Sequence, residues 1–393
     1  MSNRSPSRSL VLLLALVLTL GAAGSAFAQA TPPYQRTAIV LGGGTPAANG
    51  ASLLATLASI TTASATNPWL IKVEPGIFDL GSAELVMKNF VDVEGSGRNS
   101  TFIQKTTSLA FTSNTIVVNA GVDAEIRNLT VVNTAAGSGV GIRNSSSELK
   151  VTRINIEVSN TSGSTGMVTT NSNPRLSGVF PRVNSVNGEA VGLLVDGGGP
   201  IINEMFVFIL DSSTSGNVGL RIQNNATPVV EGVSAVISSS VVNTGIEISG
   251  GSSPRITNNR LSVLGGTDAY GIVVLDGTFP DIQEVTVSTS ANEVSVALFN
   301  RGGNVFLGSS VLRSAGPNKS FALYANGGPG SSTRVNQSTL EGEQLAVRIQ
   351  NASTAVAVGA SQLSGGVTYP ASAVPVCVAS FNAAYGALTA TCL

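Results

Sequence analysis

The sequence predicts an all-β fold, a right-handed parallel β-helix, which is a solenoid whose coils stack along one axis. Three observations predict it. Proline recurs at a nearly constant interval, and a second register of glycine and alanine keeps step with the prolines. The composition combines 44 Gly with only 11% charged and 5% aromatic residues, which is typical of short strands joined by tight turns.

The prolines define the first register. Pro174, Pro200, Pro228, Pro254 and Pro280 are separated by 26, 28, 26 and 26 residues. The position two residues after each proline is always aliphatic. This position predicts an inward-facing apolar column, formed by Leu176, Ile202, Val230, Ile256 and Ile282.

The second register places a small residue before another short strand in each coil, at Gly166, Gly192, Gly219, Gly245, Gly271, Ala297, Ala322 and Ala346. These strands end in residues that tolerate a left-handed backbone, so we expect tight turns there. The turn residues are Asn171, Gly197, Asn224, Gly250, Asn300, Asn326 and Asn351. Strands this short bury their apolar side only when each coil pairs with the next at about 4.8 Å.

Residues 1–28 are typical of a signal peptide. Arg4 and Arg8 precede an apolar run from Leu10 to Leu20, and small residues follow up to Ala28. The run is too short to span a bilayer. We therefore expect cleavage near Ala28, no membrane span in the mature chain, and a secreted or periplasmic/extracellular protein.

The ends of the solenoid are expected to differ from its middle, because an open end exposes core and unpaired backbone. Residues 29–118 are predicted to form an N-terminal cap and the first coils, with Asn49 as the N-cap of a short amphipathic helix. Residues 119–367 hold the repeats, and 368–393 form a C-terminal cap. Cys377 and Cys392 are predicted to form a disulfide that closes this cap. The alternative is a metal-binding or redox pair, but the two cysteines are not spaced as C-x-x-C and the chain has no His to assist them.

The charge excludes nucleic acid as a partner. The formal net charge of −1 becomes −3 when the two arginines of the signal peptide are removed. A phosphate-binding surface needs clustered Lys and Arg, and none of the lysines adjoins another basic residue.

The sequence resembles the pectin-lyase-like right-handed β-helix superfamily. The segments that carry the resemblance begin at Trp69, which opens Trp-Leu-Ile-Lys-Val-Glu-Pro-Gly-Ile-Phe, and at Val91, which opens Val-Asp-Val-Glu-Gly-Ser-Gly-Arg-Asn. The resemblance implies the fold and a link to polysaccharides, but this fold serves enzymes, adhesins and phage tail proteins alike.

The catalytic motifs of the enzymatic members do not match. The G-H-G motif of polygalacturonases is excluded because the chain has no His. The D-F-I-F-G and Q-A-V-A-L motifs of pectin methylesterases are missing, and Gly76 opens Gly-Ile-Phe-Asp-Leu in place of G-x-Y-x-E. Pectate-lyase chemistry needs Asp ligands for Ca²⁺ and a basic residue, so Ca²⁺ is expected only if the chain is such a lyase; otherwise no cofactor is expected.

Aligning the coils places Arg221 opposite Glu247 and Arg255 opposite Asp281. Either pair could line a groove for uronate carboxylates or form cross-strand ion pairs, and we favour the ion pairs. With Tyr270, which could be exposed, Arg221 and Glu247 are the candidate ligand-binding residues.

The densest acidic neighbourhood supplies the candidate catalytic residues. It contains Asp276, Asp281, Glu284 and Asp268, with Arg255 and Arg260 one coil earlier. Carboxylates become catalytic through geometry and shifted pKa values, and solvated turn residues are the more common case.

These observations predict an exported, non-catalytic β-helix that binds an extended polysaccharide or cell-surface glycan, or that serves as a structural surface protein. The alternative is a divergent polysaccharide lyase or pectinesterase-like enzyme that acts on acidic glycans.

Overall fold

The computed structural model describes residue 34 and residues 36–106, 115–210, 215–238 and 241–393. The predicted signal peptide and its cleavage site lie outside the described residues. The chain forms a parallel β-solenoid of about 11 turns with one helix and a C-terminal disulfide, which confirms the predicted fold class.

The helix, α1, spans Pro46–Ser59. The strands of the first coils are β1 Arg36–Val40, β2 Trp69–Val73, β3 Gly76–Asp79, β4 Leu85–Val86, β5 Val91–Glu94, β6 Thr101–Lys105, β7 Thr115–Asn119, β8 Glu125–Asn133, β9 Ser138–Ser145, β10 Lys150–Asn160 and β11 Gly163–Thr170. The middle strands are β12 Arg175–Ser185, β13 Ala190–Asp196, β14 Ile201–Asn203, β15 Phe206–Leu210, β16 Asn217–Gln223, β17 Val229–Glu231, β18 Ser234–Ser238, β19 Val242–Ile248, β20 Arg255–Thr257, β21 Arg260–Leu264 and β22 Asp268–Val274. The last strands are β23 Asp281–Gln283, β24 Thr286–Ser290, β25 Val294–Asn300, β26 Asn304–Gly308, β27 Val311–Ala315, β28 Lys319–Ala325, β29 Ser332–Asn336, β30 Thr339–Ile349, β31 Ala355–Gly359, β32 Gln362–Thr368, β33 Val376–Val378 and β34 Phe381–Asn382.

Each full coil contributes to three parallel sheets, which we number in the order in which the chain visits them. In the middle coils sheet 1 holds β14, β17, β20 and β23, sheet 2 holds β15, β18, β21 and β24, and sheet 3 holds β16, β19, β22 and β25. The long strands β8, β10 and β12 run through both sheet 1 and sheet 2.

The predicted apolar column lies in sheet 1 and is confirmed. Leu176, Ile202, Val230, Ile256 and Ile282 are paired in consecutive coils, and none is more than 1% exposed. The prolines that precede them are also buried and stacked, and their carbonyls accept backbone hydrogen bonds from the next coil. Stacking like residues in register lets each coil bury what it could not bury alone.

The glycine register lies in sheet 3. A Cβ atom at Gly245 would come within 2.4 Å of the carbonyl oxygen of Gly271 in the next coil, so the close approach of these coils requires glycine there. In the last coils Ala297, Ala322 and Ala346 occupy the same position.

The predicted turn residues are only partly confirmed. Asn171, Gly197, Asn224 and Gly250 have positive φ, at 45°, 74°, 59° and 60°. The prediction is wrong for Asn300, Asn326 and Asn351, which do not have positive φ. Asn300 is fully buried, and its amide nitrogen donates to Gly303 O, Ser332 O and Thr333 Oγ1, so it serves the core rather than the turn.

The predicted capping helix exists, but its N-cap was predicted one turn too late. The N-cap is Thr45, whose side chain accepts a hydrogen bond from Ala48 N, and Pro46 opens the helix. Asn49 instead lies in the first turn, 5% exposed, and its amide nitrogen donates to Gly42 O, Gly44 O and Ile77 O. It therefore ties the loop before the helix to β3.

The disulfide closes the other end as predicted. Cys377 continues the inward column of sheet 1, opposite Val358, and is bonded to Cys392 in the segment that folds back over the last coil. Both cysteines are buried, at 6% and 3% exposure. A structural disulfide fits an oxidising compartment. Within the described part of the chain, no helix has the length and apolarity needed to cross a bilayer.

Candidate functional site

One outward-facing column of sheet 3 carries large functional side chains through six consecutive coils. Its members lie in β16, β19, β22, β25, β28 and β30, directly opposite one another, and are Arg221, Glu247, Val273, Phe299, Tyr324 and Arg348. We call these six residues the arginine–aromatic column. Since neighbouring strands are about 4.8 Å apart, the column is about 24 Å long.

The aromatic part of the column is a stack. The rings of Phe299 and Tyr324 are nearly parallel, with centroids 4.8 Å apart, and the ring of Tyr270 from the preceding coil lies 5.7 Å from Phe299. The Arg348 guanidinium lies 5.4 Å from the Tyr324 centroid and 5.0 Å from that of Phe321. The faces of these rings are therefore largely occupied by one another and by Arg348, which leaves their edges and hydroxyl groups for a ligand.

The opposite end of the column is an ion triad. Both terminal nitrogens of Arg221 donate to the carboxylate of Glu189, at 2.7 and 2.6 Å, and its Nε donates to Glu247 at 2.9 Å. The hydrogen bonds to Glu189 and the two negative charges raise the pKa of Arg221, despite its burial. One cation held by two carboxylates is saturated, so this end offers acceptor oxygens rather than a free cation.

Tyr270 and Asp268 form a partly buried acid pair beside the ring stack. The Tyr270 hydroxyl lies 3.4 Å from Asp268 Oδ2, and Asp268 Oδ1 is buried without a hydrogen-bond partner. Burial, then the charge of Asp268, raises the pKa of Tyr270 to about 12. Burial also raises the pKa of Asp268 above its usual value. A carboxyl group in this state retains its proton more readily than an exposed one.

Two guanidinium groups at the aromatic end have no carboxylate within 4.0 Å among the described residues. They belong to Arg348 and to Arg301, which follows Phe299 by two residues and whose charge acts on Tyr270. Gln350, two residues after Arg348, accepts a hydrogen bond from the Tyr324 hydroxyl. This end therefore offers N–H donors, and the guanidinium of Arg348 lies beside the rings of Phe321 and Tyr324.

The structure brings the three candidate ligand-binding residues onto one face. Arg221 and Glu247 are adjacent in the column, and Tyr270 lies in the coil after Glu247. The predicted Arg221–Glu247 ion pair is present.

The candidate catalytic residues are spread around the coil. Asp276 is exposed in the turn between sheets 3 and 1, Asp281 and Arg255 lie in sheet 1, and Glu284 lies in the turn between sheets 1 and 2. Arg255 and Asp281 are opposite one another as predicted, but no ion pair joins them, and Asp281 accepts from Gln283 instead. Arg260 lies in sheet 2 and Asp268 in sheet 3. The described residues contain no group of three or more His, Cys, Asp or Glu that could hold a metal ion.

A second charged network lies on sheet 1 near the N-terminal end. Arg127 contacts Glu125 at 2.5 Å and Glu94 at 3.0 Å, and its Nη1 donates to the Tyr34 hydroxyl, which donates to Asp92. Burial acts to raise the pKa of Glu94, but hydrogen bonds from Lys72 and Arg127 hold it below its usual value. Burial and the bond to Asp92 raise the pKa of Tyr34 to about 12. The network fastens the segment before β1 to the first coils.

Sequence reasoning missed Phe299, Tyr324, Arg348 and Glu189. The signal for the first three was present, because each lies two residues after a member of the register Ala297, Ala322 and Ala346, as Arg221 and Glu247 do after Gly219 and Gly245. Glu189 carried no such signal, since it lies three residues before Gly192 and not two residues after a member of the register.

Comparison with family models and with curated protein sequences finds no match. Among solved structures, the chain is similar to the A-module of mannuronan C-5 epimerase AlgE6 from Azotobacter vinelandii, with a TM-score of 0.51 and 13% identity over 85% of this chain and 95% of that one. The AlgE4 A-module from the same organism gives a TM-score of 0.40 and 12% identity over 86% and 94% of the two chains. The catalytic domain of a GH87 alpha-1,3-glucanase gives 0.42 and 11% over 91% and 68%.

The fold is a right-handed parallel β-helix. The resemblance to pectin-lyase-like proteins is thereby confirmed as a likeness of fold. In this β-helix the arginine–aromatic column lies parallel to the long axis, so a ligand that contacts all of it must itself be extended.

Proposed function

We propose that this β-helix binds an extended glycan along the arginine–aromatic column. The observation that carries the proposal is the alignment of six outward-facing side chains over about 24 Å, from Arg221 to Arg348, of which all but Val273 are charged or aromatic. A compact metabolite contacts one or two coils, whereas a linear polymer can contact all six. The AlgE6 A-module, which shares the fold, is named for acting on mannuronan, and this supports a polysaccharide as the ligand class.

The chemistry of the column suits sugar hydroxyl groups. Glu189 and Glu247 offer acceptors at one end, while Arg301 and Arg348 offer donors at the other. The hydroxyls of Tyr270 and Tyr324 donate to Asp268 and Gln350, so toward a ligand they are acceptors. The free guanidiniums also suit carboxylates, so acidic glycans should bind more tightly than neutral ones. Export of the chain, with a mature form from Gln29, belongs to the same proposal.

The test is a binding screen of the chain from Gln29 against acidic and neutral polysaccharides, by affinity electrophoresis and calorimetry. Arg348→Gln should weaken binding about tenfold, because a charge-assisted hydrogen bond contributes about 1.5 kcal/mol or more. Arg334→Gln, which removes an exposed arginine from sheet 1, is the matched control and should leave the affinity unchanged. Equal loss in both variants, or no binding to any glycan, would refute the proposal.

A polysaccharide lyase or esterase is the second candidate function, favoured by the raised pKa of Asp268 beside Tyr270 on the same face. The same screen, with and without Ca²⁺, should then yield unsaturated uronate products, seen by ultraviolet absorbance, or a released acyl group. Asp268→Asn should abolish turnover and leave binding intact. Asp276 and Asp281 lie off this face, so Asp276→Asn and Asp281→Asn should retain turnover. Binding without any product would support the non-catalytic reading.

A further inference from the structure

A different face of the β-helix combines exposed apolar side chains with unpaired arginines. It comprises the outward positions of sheet 2 in four consecutive coils, which the strand register aligns as a grid of four rows. The rows are Phe180, Arg182 and Asn184; Phe206, Phe208 and Leu210; Ser234, Val236 and Ser238; and Arg260, Ser262 and Leu264. We call these twelve residues the Phe–Arg face.

The apolar side chains of this face are open to solvent. Phe206 is 37% exposed, Leu210 48% and Leu264 40%. The ring centroid of Phe206 lies 6.4 Å from that of Phe180 and 6.4 Å from that of Phe208, which is wider than the 4.8 Å between Phe299 and Tyr324 on sheet 3, so these rings spread over the surface. Burying these exposed leucine and phenylalanine side chains against a binding partner would lower the free energy, because it removes their apolar surface from water.

The cations of the face have no carboxylate within 4.0 Å among the described residues. The guanidinium of Arg182 lies over the Phe208 ring at 5.8 Å, and that of Arg98, from the loop before β6, lies over the Phe180 ring at 4.4 Å. Arg260 is exposed at the corner of the grid. None of the twelve positions is Asp or Glu. Glu157, which lies opposite Arg182 in the preceding coil, borders the face and forms no ion pair with that arginine. The face itself therefore carries cations and no anion.

We infer that the Phe–Arg face docks on an anionic lipid bilayer surface. A bilayer interface meets both features at once, because phenylalanine and leucine enter the headgroup and acyl boundary while guanidiniums pair with lipid phosphates. A soluble polyanion would satisfy the arginines and leave the apolar rows exposed. A symmetric contact with a second copy would set the unpaired arginines of one copy against those of the other. The site is separate from the arginine–aromatic column, so it would hold the β-helix on a membrane while the column remains free.

The experiment is co-sedimentation of the chain from Gln29 with vesicles of phosphatidylcholine alone or mixed with phosphatidylglycerol. Starting at Gln29 avoids the apolar run from Leu10 to Leu20, which would itself enter a bilayer. We expect binding to the mixed vesicles that weakens as salt rises, and binding to phosphatidylcholine at least about tenfold weaker.

Two variants and their controls test the face. Phe206→Ser with Leu210→Ser, and separately Arg182→Gln with Arg260→Gln, should each weaken vesicle binding about tenfold or more. Phe306→Ser, a phenylalanine 38% exposed on sheet 1, and Arg175→Gln with Arg334→Gln on the same sheet are the matched controls and should bind as the parent does. Circular dichroism and thermal unfolding establish that each variant is folded.

The inference is overturned if the chain ignores anionic vesicles, or if the face variants and the controls bind alike. It is also overturned if dextran sulfate displaces vesicles equally well from the parent protein and from the Phe206→Ser, Leu210→Ser variant, since a polyanion would then be the ligand. Self-association that is lost in these variants, measured by sedimentation velocity without lipid, would replace the bilayer with a second copy of the chain.

Discussion

At the residue scale, the turn between sheets 1 and 2 depends on one residue in the left-handed conformation in each coil from Asn128 onward. The φ angle at this position is between 47° and 64° from Asn128 to Ala379. The intervening residues are Arg153, Gly178, Glu204, Gly232, Asn258, Glu284, Ser309, Gln337 and Ala360. Most of these side chains disfavour that conformation, so the stacking of coils imposes the turn.

The turn predicts a purely conformational effect of replacing Gly232. A Cβ atom there would meet nothing closer than 3.6 Å, so Gly232→Ala creates no clash, but a φ of 64° costs alanine more free energy than glycine. We expect the free energy of unfolding to fall by about 1 to 2 kcal/mol, measured by guanidinium denaturation.

Gly328→Ala is the control for this prediction, because a Cβ at Gly328 meets nothing within 4 Å and its φ lies outside the left-handed range. We expect Gly328→Ala to leave stability unchanged or to raise it by less than about 1 kcal/mol. Equal effects of the two substitutions would show that φ at Gly232 does not limit stability.

At the scale of the element, the sequence predicts those parts of the coil in which one residue type recurs. It does not predict the parts in which the backbone takes the same conformation whatever the residue. The sheet 1 column from Leu176 to Ile282 could be predicted because burial demands an aliphatic side chain in every coil. The turn between sheets 1 and 2 could not, since Arg153, Glu204 and Gln337 carry no turn signal.

The candidate site divides in the same way. The register places Arg221 opposite Glu247 from spacing alone. The contact of Arg221 with Glu189 and the burial that raises the pKa of Asp268 arise from neighbouring loops and coils, which spacing does not specify. The N-cap was misplaced at Asn49 because an Asn that clamps a loop has the same local sequence signature as one that caps a helix.

The C-terminal cap predicts a local effect of reduction. The Cys377–Cys392 bond links the last strand of sheet 1 to the segment that covers it, and a disulfide of this kind contributes about 2 to 4 kcal/mol. In a solenoid each coil contacts only its neighbours, so we expect the loss to stay near that end. Cys392→Ala, or reduction, should therefore speed amide hydrogen exchange in β32, β33 and β34 and leave β18 and β21 unchanged. Uniform acceleration along the rod would contradict this expectation.

At the scale of the whole molecule, the β-helix is a rod with different chemistry on each side. Sheet 3 displays the arginine–aromatic column, sheet 2 the Phe–Arg face, and the core between them is a stack of aliphatic columns and buried prolines. Because the sheets face different directions, a ligand on one does not obstruct the other. Because the coils repeat along the axis, both the arginine–aromatic column and the Phe–Arg face are elongated surfaces.

The length of the column predicts how affinity depends on ligand length, given the proposed glycan-binding function. Short acidic oligosaccharides should dock at the end with free cations, near Arg348, and only chains that span the four strand spacings to Glu247, about 19 Å, should also reach that residue. Affinity should therefore rise with chain length and then level off.

Arg348→Gln should weaken binding of short and long chains alike, whereas Glu247→Gln should weaken only the long ones, because Arg221 retains both bonds to Glu189. Since the two ends share no partners, their effects on long chains should add. Calorimetry with a graded oligosaccharide series measures this, with Glu157→Gln on sheet 2 as the control. An affinity that is the same for every chain length would mean that the ligand does not lie along the rod.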